Sequence, residues 1–316
     1  MKIIRNINNL KLPTTSCILT IGNFDGIHLG HQKLLNLICK KKKEYKKPTT
    51  IILFEPQPKE FFYPHNPPVR LTKFREKIKY LSRWNIDTIL CIYFNHYFSL
   101  IKPWDFIKKI IIEKLNVCFL AVGSNFSFGA QKKGNISLLK NIGKHYNFEV
   151  YATKIFKIQG MEISSTAIRI ALENDNLQLA KKLLGRSFSI SGKVIHGKKN
   201  GTNIIGFPTA NITLHNNTAP INGVFIVKIF VCTLKKTFFG VANIGTQPTI
   251  SGIQKKLEVH FINISINLYQ KYIQVIFIKK IRNEIFFPSI HDLQTRIKHD
   301  INIANTYVKK HFNNLL

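Results

Sequence analysis

The sequence predicts an α/β domain followed by a β domain: a parallel sheet with helices, then a small antiparallel β-barrel and a C-terminal helix. Three observations predict it. The first half alternates apolar runs with amphipathic stretches joined by short connections, the pattern of a parallel sheet covered by helices. The second half carries short β-rich runs separated by Gly- or Asn-containing turns, as small barrels do. The chain has 316 residues, 45% of them apolar, which is long for one compact domain and enough for two cores.

In chain order, strands are expected at Cys17–Ile21, Thr50–Phe54, Thr88–Tyr93, Val117–Val122 and Phe148–Ala152. Between them, apolar residues recur at helix spacing: Leu34, Leu35 and Ile38, then Phe74, Ile78 and Leu81, then Phe106, Ile110 and Leu115. Ser164-Ser165-Thr166 opens a helical run to Glu173, and a second run, Leu177–Leu184, ends at Gly185 as a C-cap. The domain boundary is expected there, giving residues 1–185 and 186–316. Later strands are expected at Phe188–Ile195, Val224–Val231, Phe238–Asn243, Leu257–Ile264 and Ile273–Lys279. The chain closes on a helix with Ser289 as its cap and Ile290, Leu293, Ile297, Ile301, Ala304 and Val308 on one face.

Lys and Arg total 47 against 16 Asp and Glu, a formal charge of +31. Such a charge suits a nucleic-acid partner or an anionic membrane, and equally a lysine-rich codon bias with basic residues spread along the chain. The spread favours the second reading, so neither nucleic acid nor membrane is expected as a partner. The five cysteines, Cys17, Cys39, Cys91, Cys118 and Cys232, form no C-x-x-C pair and mostly lie in apolar runs. They read as buried thiols of a reducing compartment. The first residues are too polar for a signal peptide, and no apolar run approaches the ~20 residues of a membrane span. The expectation is a cytoplasmic protein, monomeric or weakly oligomeric.

Gly22-Asn23-Phe24-Asp25-Gly26-Ile27-His28-Leu29-Gly30-His31 follows the first main strand and opens a helix. Ligands of open α/β sheets bind at such strand ends. Gly22 and Gly26 admit close backbone approach, and the helix start offers free N–H groups to a phosphate. His28 and His31, three apart, reach one face of the first turn and suit hydrogen bonding to a phosphate in displacement. Gly30 leaves room beside them. The alternative, a metal bound by the two histidines, lacks an obvious third ligand. Later, hydroxyls at the helix start and Arg169 on its first turn form an anion site, although Ser164 also reads as a simple N-cap.

This segment resembles the signature of nucleotidylyltransferases that join FMN to ATP. Three further segments resemble that family's motifs in order: Phe54-Glu55-Pro56-Gln57-Pro58, Gly123 to Gly129, and Ile163-Ser164-Ser165-Thr166-Ala167-Ile168-Arg169. The resemblance implies a Rossmann-like nucleotidyltransferase sheet. It implies ATP binding by Gly22, Asn23, Phe24, Asp25, Gly30, Ser164, Ser165, Thr166 and Arg169. It implies His28 and His31 in catalysis, and Asn125 and Phe128 on the flavin side, with Phe126 in the core. No protein nucleophile is required: the FMN phosphate attacks the α-phosphorus and expels pyrophosphate, with Mg²⁺ on the phosphates.

Gly206-Phe207-Pro208-Thr209-Ala210-Asn211 resembles the riboflavin kinase signature. On an extended segment Thr209 and Asn211 face the same way, and neutral oxygen ligands suit Mg²⁺. Taken alone, the segment reads equally as a turn. Gly240 to Thr246, Leu257-Glu258-Val259-His260 and Lys280-Ile281-Arg282-Asn283-Glu284 also match the kinase pattern. The resemblance implies Glu258 as the catalytic carboxylate, Arg282 on the flavin side, and Gly197, Gly201, Gly206 and Pro208 near ATP. Glu258 has an alternative as a salt-bridged strand residue, and Arg282 as a surface partner of Glu284. Two departures stand out: Gly201-Thr202-Asn203 lacks the Arg usual before the signature, and Gln247 replaces a common Arg.

Together the motifs resemble the prokaryotic bifunctional riboflavin kinase/FAD synthetase family over nearly the whole chain. The implied function is ATP-dependent phosphorylation of riboflavin to FMN, then adenylyl transfer to give FAD, with riboflavin, FMN and ATP as ligands. The rivals are an enzyme with one surviving activity and a nucleic-acid-binding module.

Overall fold

The computed structural model describes residues 1–9, 15–195, 209–214, 219–249, 252–262, 264 and 266–312. The chain forms two compact units, Met1–Pro68 with Lys73–Ser165, and Val69–Thr72 with Thr166–Leu316.

The first unit is built on six parallel strands: β1 (Lys2–Ile4), β2 (Cys17–Ile21), β3 (Thr49–Glu55), β4 (Thr88–Tyr93), β5 (Val117–Val122) and β6 (Glu149–Ala152). Their spatial order is β1-β4-β3-β2-β5-β6. Every residue of β2 is buried, as a central parallel strand covered on both faces requires. Alternation sorts its neighbours between two cores. Ile18, Ile51, Ile89 and Phe119 pack with Leu34, Leu35 and Ile38 of helix α1 (Leu29–Tyr45) and with Leu81 of α2 (Phe74–Leu81). Leu19, Ile52, Leu90 and Leu120 pack on the other face with Phe106, Ile107, Ile110 and Ile111, and with Leu139 of α3 (Ile136–His145). Each such fully buried side chain contributes about 1.5–3 kcal/mol. The strand order reverses at β2, which lies between β3 and β5, so a crevice opens past its carboxyl end.

The five expected strands are present to within a residue or so at each end. β1 was not expected: a three-residue edge strand, it pairs with β4 through Lys2, Ile3 and Ile4. A further hairpin, β7 (Lys157–Ile158) and β8 (Met161–Glu162), turns on Gln159 and Gly160, both at positive φ. Phe106–Lys114 forms the helix its spacing predicts, but wound as a π-helix with i→i+5 bonding, as in Leu115 N–H donating to Ile110 O at 3.1 Å.

In the second unit, α4 (Ser165–Glu173) and α5 (Leu177–Leu184) precede a sheet, and Gly185 caps α5 with φ 73°. The strands are β9 (Ser189–Lys193), β10 (Thr209–Thr213), β11 (Gly223–Val231), β12 (Lys236–Thr249), β13 (Gly252–Phe261) and β14 (Tyr272–Arg282). They pair antiparallel in the order β10-β13-β12-β11-β14-β9. Ile195 N–H donates to Asn211 O at 2.9 Å across the two edges, so the sheet is a nearly closed barrel. Phe225, Val227, Ala242, Leu257, Val259 and Phe277 are buried on its inner face. The alternate residues Val224, Ile226 and Val241 pack outward under Ala304 and Val308 of the closing helix α6 (Ile290–Phe312). Ser289 Oγ accepts from Asp292 N–H at 3.1 Å, the cap the sequence predicts.

Helix α6 is also pinned by charge. Asp300 is 2% exposed and receives Arg282 Nε at 2.9 Å and Nη2 at 2.8 Å, with Arg296 at 3.4 Å. The Arg282 partner is therefore Asp300, not Glu284. Removing one partner of a buried pair strands the other charge. Asp300→Ala is expected to lower stability by about 3–5 kcal/mol, read as a drop in the thermal midpoint of the second unit. A midpoint unchanged from the parent would show that the pair is solvated.

Candidate functional site

The first candidate site forms where β2 ends. The loop from Gly22 to His28 turns through three left-handed residues, Phe24 (φ 48°), Gly26 (φ 80°) and Ile27 (φ 41°). For a bulky residue this conformation is costly and persists only when the surroundings hold it. Here they do: Phe24 and Ile27 are fully buried in the α1-side core, and Asp25 is 2% exposed. Ser165 Oγ donates to Asp25 O at 2.9 Å, tying the loop to the Ser164-Ser165 segment.

His28 caps α1, and its Nδ1 accepts from His31 N–H at 3.3 Å. The two imidazoles stack with centroids 3.7 Å apart, and Phe24 lies 4.9 Å from His31. A Cβ on Gly30 would sit 3.2 Å from His28 Nδ1 and Cε1, so Gly30 makes room first for the His28 ring. The His31 pKa is held well below its usual value by burial, then by His28 and by Lys77. His31 is thus neutral at pH 7 and donates from one nitrogen only; its buried Nδ1 has no partner among the described residues.

Lys77 was missed by sequence reasoning. It lies on α2, is 1% exposed, and its charge reaches both His31 and Cys91. A signal existed: Phe74, Lys77, Ile78 and Leu81 share the i, i+3, i+4, i+7 spacing of one helix face, so the lysine falls on the apolar side.

The remaining predicted residues of this unit are spread along neighbouring loops. Glu55 ends β3, and Gln57 N–H donates to Glu60 Oε2 at 2.9 Å as the next short helix begins. Asn125 is exposed past β5. Phe128 is 8% exposed and packs 5.5 Å from Phe106, and Phe126 is half-buried against the same core, as expected. In the second unit, Thr166 is exposed at the start of α4, and Arg169 Nε donates to Val69 O.

The second candidate site lies on β10, β13 and β12. Asn211 pairs with Glu258, and Glu258 pairs with Asn243 on its other side. The three side chains therefore project from one face in a single row. Asn211 Nδ2 donates to Thr209 O at 3.3 Å and to its Oγ1 at 3.4 Å, which holds the two oxygen-bearing side chains together. Burial pushes the Glu258 carboxyl above its usual range; Lys256 pulls it back, and Glu284 adds to the rise. A side chain on Gly245 would run into the Glu284 carboxylate, so that glycine admits Glu284 against β12. Gly197, Gly201, Gly206 and Pro208 lie outside the described residues. Asn243 was quoted in a sequence motif without a role and Glu284 only as an ion-pair alternative for Arg282, because cross-strand register cannot be read along one strand.

Two family models match the chain: FAD synthetase over residues 11–167 and riboflavin kinase over residues 184–308. A protein of Buchnera aphidicola subsp. Acyrthosiphon pisum named bifunctional riboflavin kinase/FMN adenylyltransferase is 49% identical, over 99% of this chain and 100% of its own. The Escherichia coli K12 protein of the same name is 45% identical, over 95% and 96%. Among solved structures, a Streptococcus pneumoniae protein titled a macrolide-efflux protein superposes with a TM-score of 0.80. It is 27% identical, over 96% of this chain and 98% of its own.

The neutral state of buried His31 carries a pH signature. An unfolded histidine titrates near 6.5, whereas folded His31 refuses the proton to well below that. Below about pH 6.5 the unfolded state binds the extra proton, so stability falls as pH falls. The parent protein is expected to lose more of its thermal midpoint between about pH 7.5 and 5.5 than His31→Gln. Equal losses would show that the ring is hydrated.

Proposed function

The chain belongs to the bifunctional riboflavin kinase/FMN adenylyltransferase family, and from that premise we propose how its two sites divide the chemistry. The protein phosphorylates riboflavin to FMN and adenylylates FMN to FAD, with ATP as co-substrate. In the proposal, residues 1–185 carry adenylyl transfer and residues 186–316 carry the kinase step. The functional boundary follows the motifs; compactness groups α4 and α5 with the second unit instead.

For adenylyl transfer, an oxygen of the FMN phosphate attacks the α-phosphorus of ATP and pyrophosphate leaves. The loop Gly22, Asn23, Phe24, Asp25 and Gly30 offers backbone to the nucleotide, and His28 and His31 donate to oxygens on which charge develops. Because His31 is neutral, its contribution is a directed hydrogen bond, not a charge. Ser164, Thr166 and Arg169 take phosphates in this reading. The Ser165 hydroxyl proton is already given to Asp25 O, so Ser165 positions the loop. Asn125 faces the flavin; Phe128, being buried, supports the loop from below.

For the kinase step, the riboflavin 5′-hydroxyl loses its proton to Glu258 as it attacks the γ-phosphorus. The observation that carries this reading is the register that sets Glu258 directly beside Asn211, with burial raising its proton affinity. Thr209 and Asn211 present neutral oxygens side by side and would hold Mg²⁺. No three His, Cys, Asp or Glu side chains converge among the described residues. Such a sparse oxygen set, completed by phosphates and water, fits Mg²⁺. When bound, the ion neutralises phosphate charge. Arg282 is engaged by Asp300 and acts on the flavin side by fixing the segment that follows β14.

No described helix is long and apolar enough to cross a membrane, and all five cysteines are free. Both fit the cytoplasmic location we propose.

Product analysis tests the division. With riboflavin, ATP and Mg²⁺ the purified protein is expected to form FMN and then FAD. Glu258→Ala is expected to lower phosphorylation about 10²- to 10⁴-fold and leave adenylylation of supplied FMN intact. His31→Ala is expected to lower adenylylation about 10²- to 10³-fold and leave phosphorylation intact. Loss of both activities from either folded variant would refute the two-site assignment.

A further inference from the structure

Gly30 and Lys33 are three positions apart on α1 and share one face of that helix. Two separate contacts set this face against the two ends of the β7–β8 hairpin. A Cβ on Gly30 would lie 3.6 Å from Ile163 O, and the Lys33 Nζ sits 3.7 Å from the centroid of the Phe156 ring. Ile163 N–H donates to Phe156 O at 2.8 Å, which closes the hairpin and joins the two contacts into one surface. Ser164 and Ser165 follow directly, and Ser165 is the residue that holds Asp25 O at 2.9 Å. The start of α1, the loop from Gly22 to His28 and the Ser164-Ser165 segment meet here, with Lys33 at their edge.

Lys33 is rooted four positions past Leu29, about 6 Å along the helix axis. Helical side chains lean toward the N-terminus, so its ammonium is carried back toward the start of α1. There the Phe156 ring holds it in place. Among the described residues no carboxylate forms an ion pair with it: the acids near α1, Glu44 and Asp87, are taken by Lys41 and Lys42. An ammonium on a ring face spends little of its three-donor capacity and keeps N–H groups for an anion. On the other side of the helix start, the buried His31 Nδ1 has no hydrogen-bond partner among the described residues, as at a place that a ligand completes.

We propose that Lys33 is a further substrate-binding residue of the adenylyl-transfer site: its ammonium donates to the β- and γ-phosphates of ATP and to the pyrophosphate they become. The inference rests on the reading of the first site as the place of adenylyl transfer. His31 and Lys33 are two positions apart and leave α1 on different sides, so they address different phosphates. The stacked histidines meet the α-phosphate, and the lysine, on the side of Ser164, meets the outer two. An oxygen of the FMN phosphate bonds to the α-phosphorus. The bond from that phosphorus to the oxygen it shares with the β-phosphate breaks, and pyrophosphate leaves with the electron pair. No proton has to pass to the protein. Negative charge grows on the leaving side, where a fixed cation stabilises it most. Neutral His31 supplies no such charge. The ring orders the long side chain before ATP arrives, so less rotamer freedom is lost on binding.

The test is FMN adenylylation by the full chain, with pyrophosphate or AMP as inhibitor against ATP, for the parent, Lys33→Ala, Lys33→Arg and Lys40→Ala. Lys40 is exposed further along α1, so its loss removes the same charge away from the site. Lys33→Ala is expected to raise the KM for ATP and the inhibition constant of pyrophosphate about tenfold. The inhibition constant of AMP, which lacks the outer phosphates, is expected to stay at the parent value. Lys33→Arg keeps a cation on the ring and is expected to recover most of the loss. Lys40→Ala is expected to match the parent. Parent constants in folded Lys33→Ala overturn the inference, and so does an equal weakening of AMP. An equal effect in Lys40→Ala also overturns it, by assigning the loss to the overall charge of the chain. Undiminished adenylylation by His31→Ala overturns the reading of the first site and this inference with it. A parent-like Lys33→Ala beside an impaired His31→Ala overturns this inference alone.

Discussion

Hydrogen-bond register between paired strands is the constraint on which the second candidate site depends. Side chains alternate with a period of two, so a slip of one residue exchanges the faces of a strand. On β13 the order Leu257, Glu258, Val259 is apolar, acidic, apolar, and both apolar neighbours are fully buried inside the barrel. A one-residue slip against β10 would drive the carboxylate into that interior and expose two core residues. The core therefore enforces the position of Glu258 more firmly than any contact the carboxylate makes itself.

The parallel sheet reaches the same end by a different route. Its central strand β2 is buried on both faces and has no free side on which to carry chemistry. The only place left is the point where the strand stops, and the reversal of strand order there opens the crevice. The left-handed turn at Phe24, Gly26 and Ile27 follows from this. The chain must leave a buried strand and enter α1 within a few residues, and the burial of Phe24 and Ile27 offsets the strain. Gly30 belongs to the same economy of space, since the His28 ring occupies the volume its side chain would take.

Much of this was legible in the sequence, and the limits have physical causes. Strands such as Cys17–Ile21, Thr88–Tyr93 and Val117–Val122 are unbroken apolar runs bounded by turn residues, so their ends are encoded locally. The Gly185 cap and the Ser289 cap are local signals too. β1 was not legible because three residues of an edge strand carry no period; only pairing with β4 makes them a strand. The burial of Phe128 and the exposure of Asn125 depend on which side of a loop meets the π-helix, which no spacing rule states. The Arg282–Asp300 pair joins residues 18 apart across a strand and a helix, and from sequence the nearer Glu284 looked the better partner. Asn243 is the clearest case: one polar residue in an apolar strand means little until its neighbours on two other strands are known.

The charge of the chain and the charge states of its site residues obey different physics. A formal charge of +31 raises the local concentration of nucleotides and flavin phosphates over a distance of several ångströms, until salt screens it. By itself such a field would also hold every carboxylate ionised. Glu258 behaves otherwise: burial is the largest influence on it and raises its proton affinity, while the adjacent Lys256 opposes the rise without reversing it. His31 responds to the same cause with the opposite sign, since burial disfavours its charged form and Lys77 adds to the effect. Both groups are thereby moved toward neutrality, one by gaining affinity for a proton and the other by losing it. Near pH 7 this leaves His31 a neutral hydrogen-bond donor and makes Glu258 a stronger base than a solvated carboxylate. In the proposed reading, long-range charge draws phosphate-bearing substrates in, and local desolvation sets the proton affinity of each site residue.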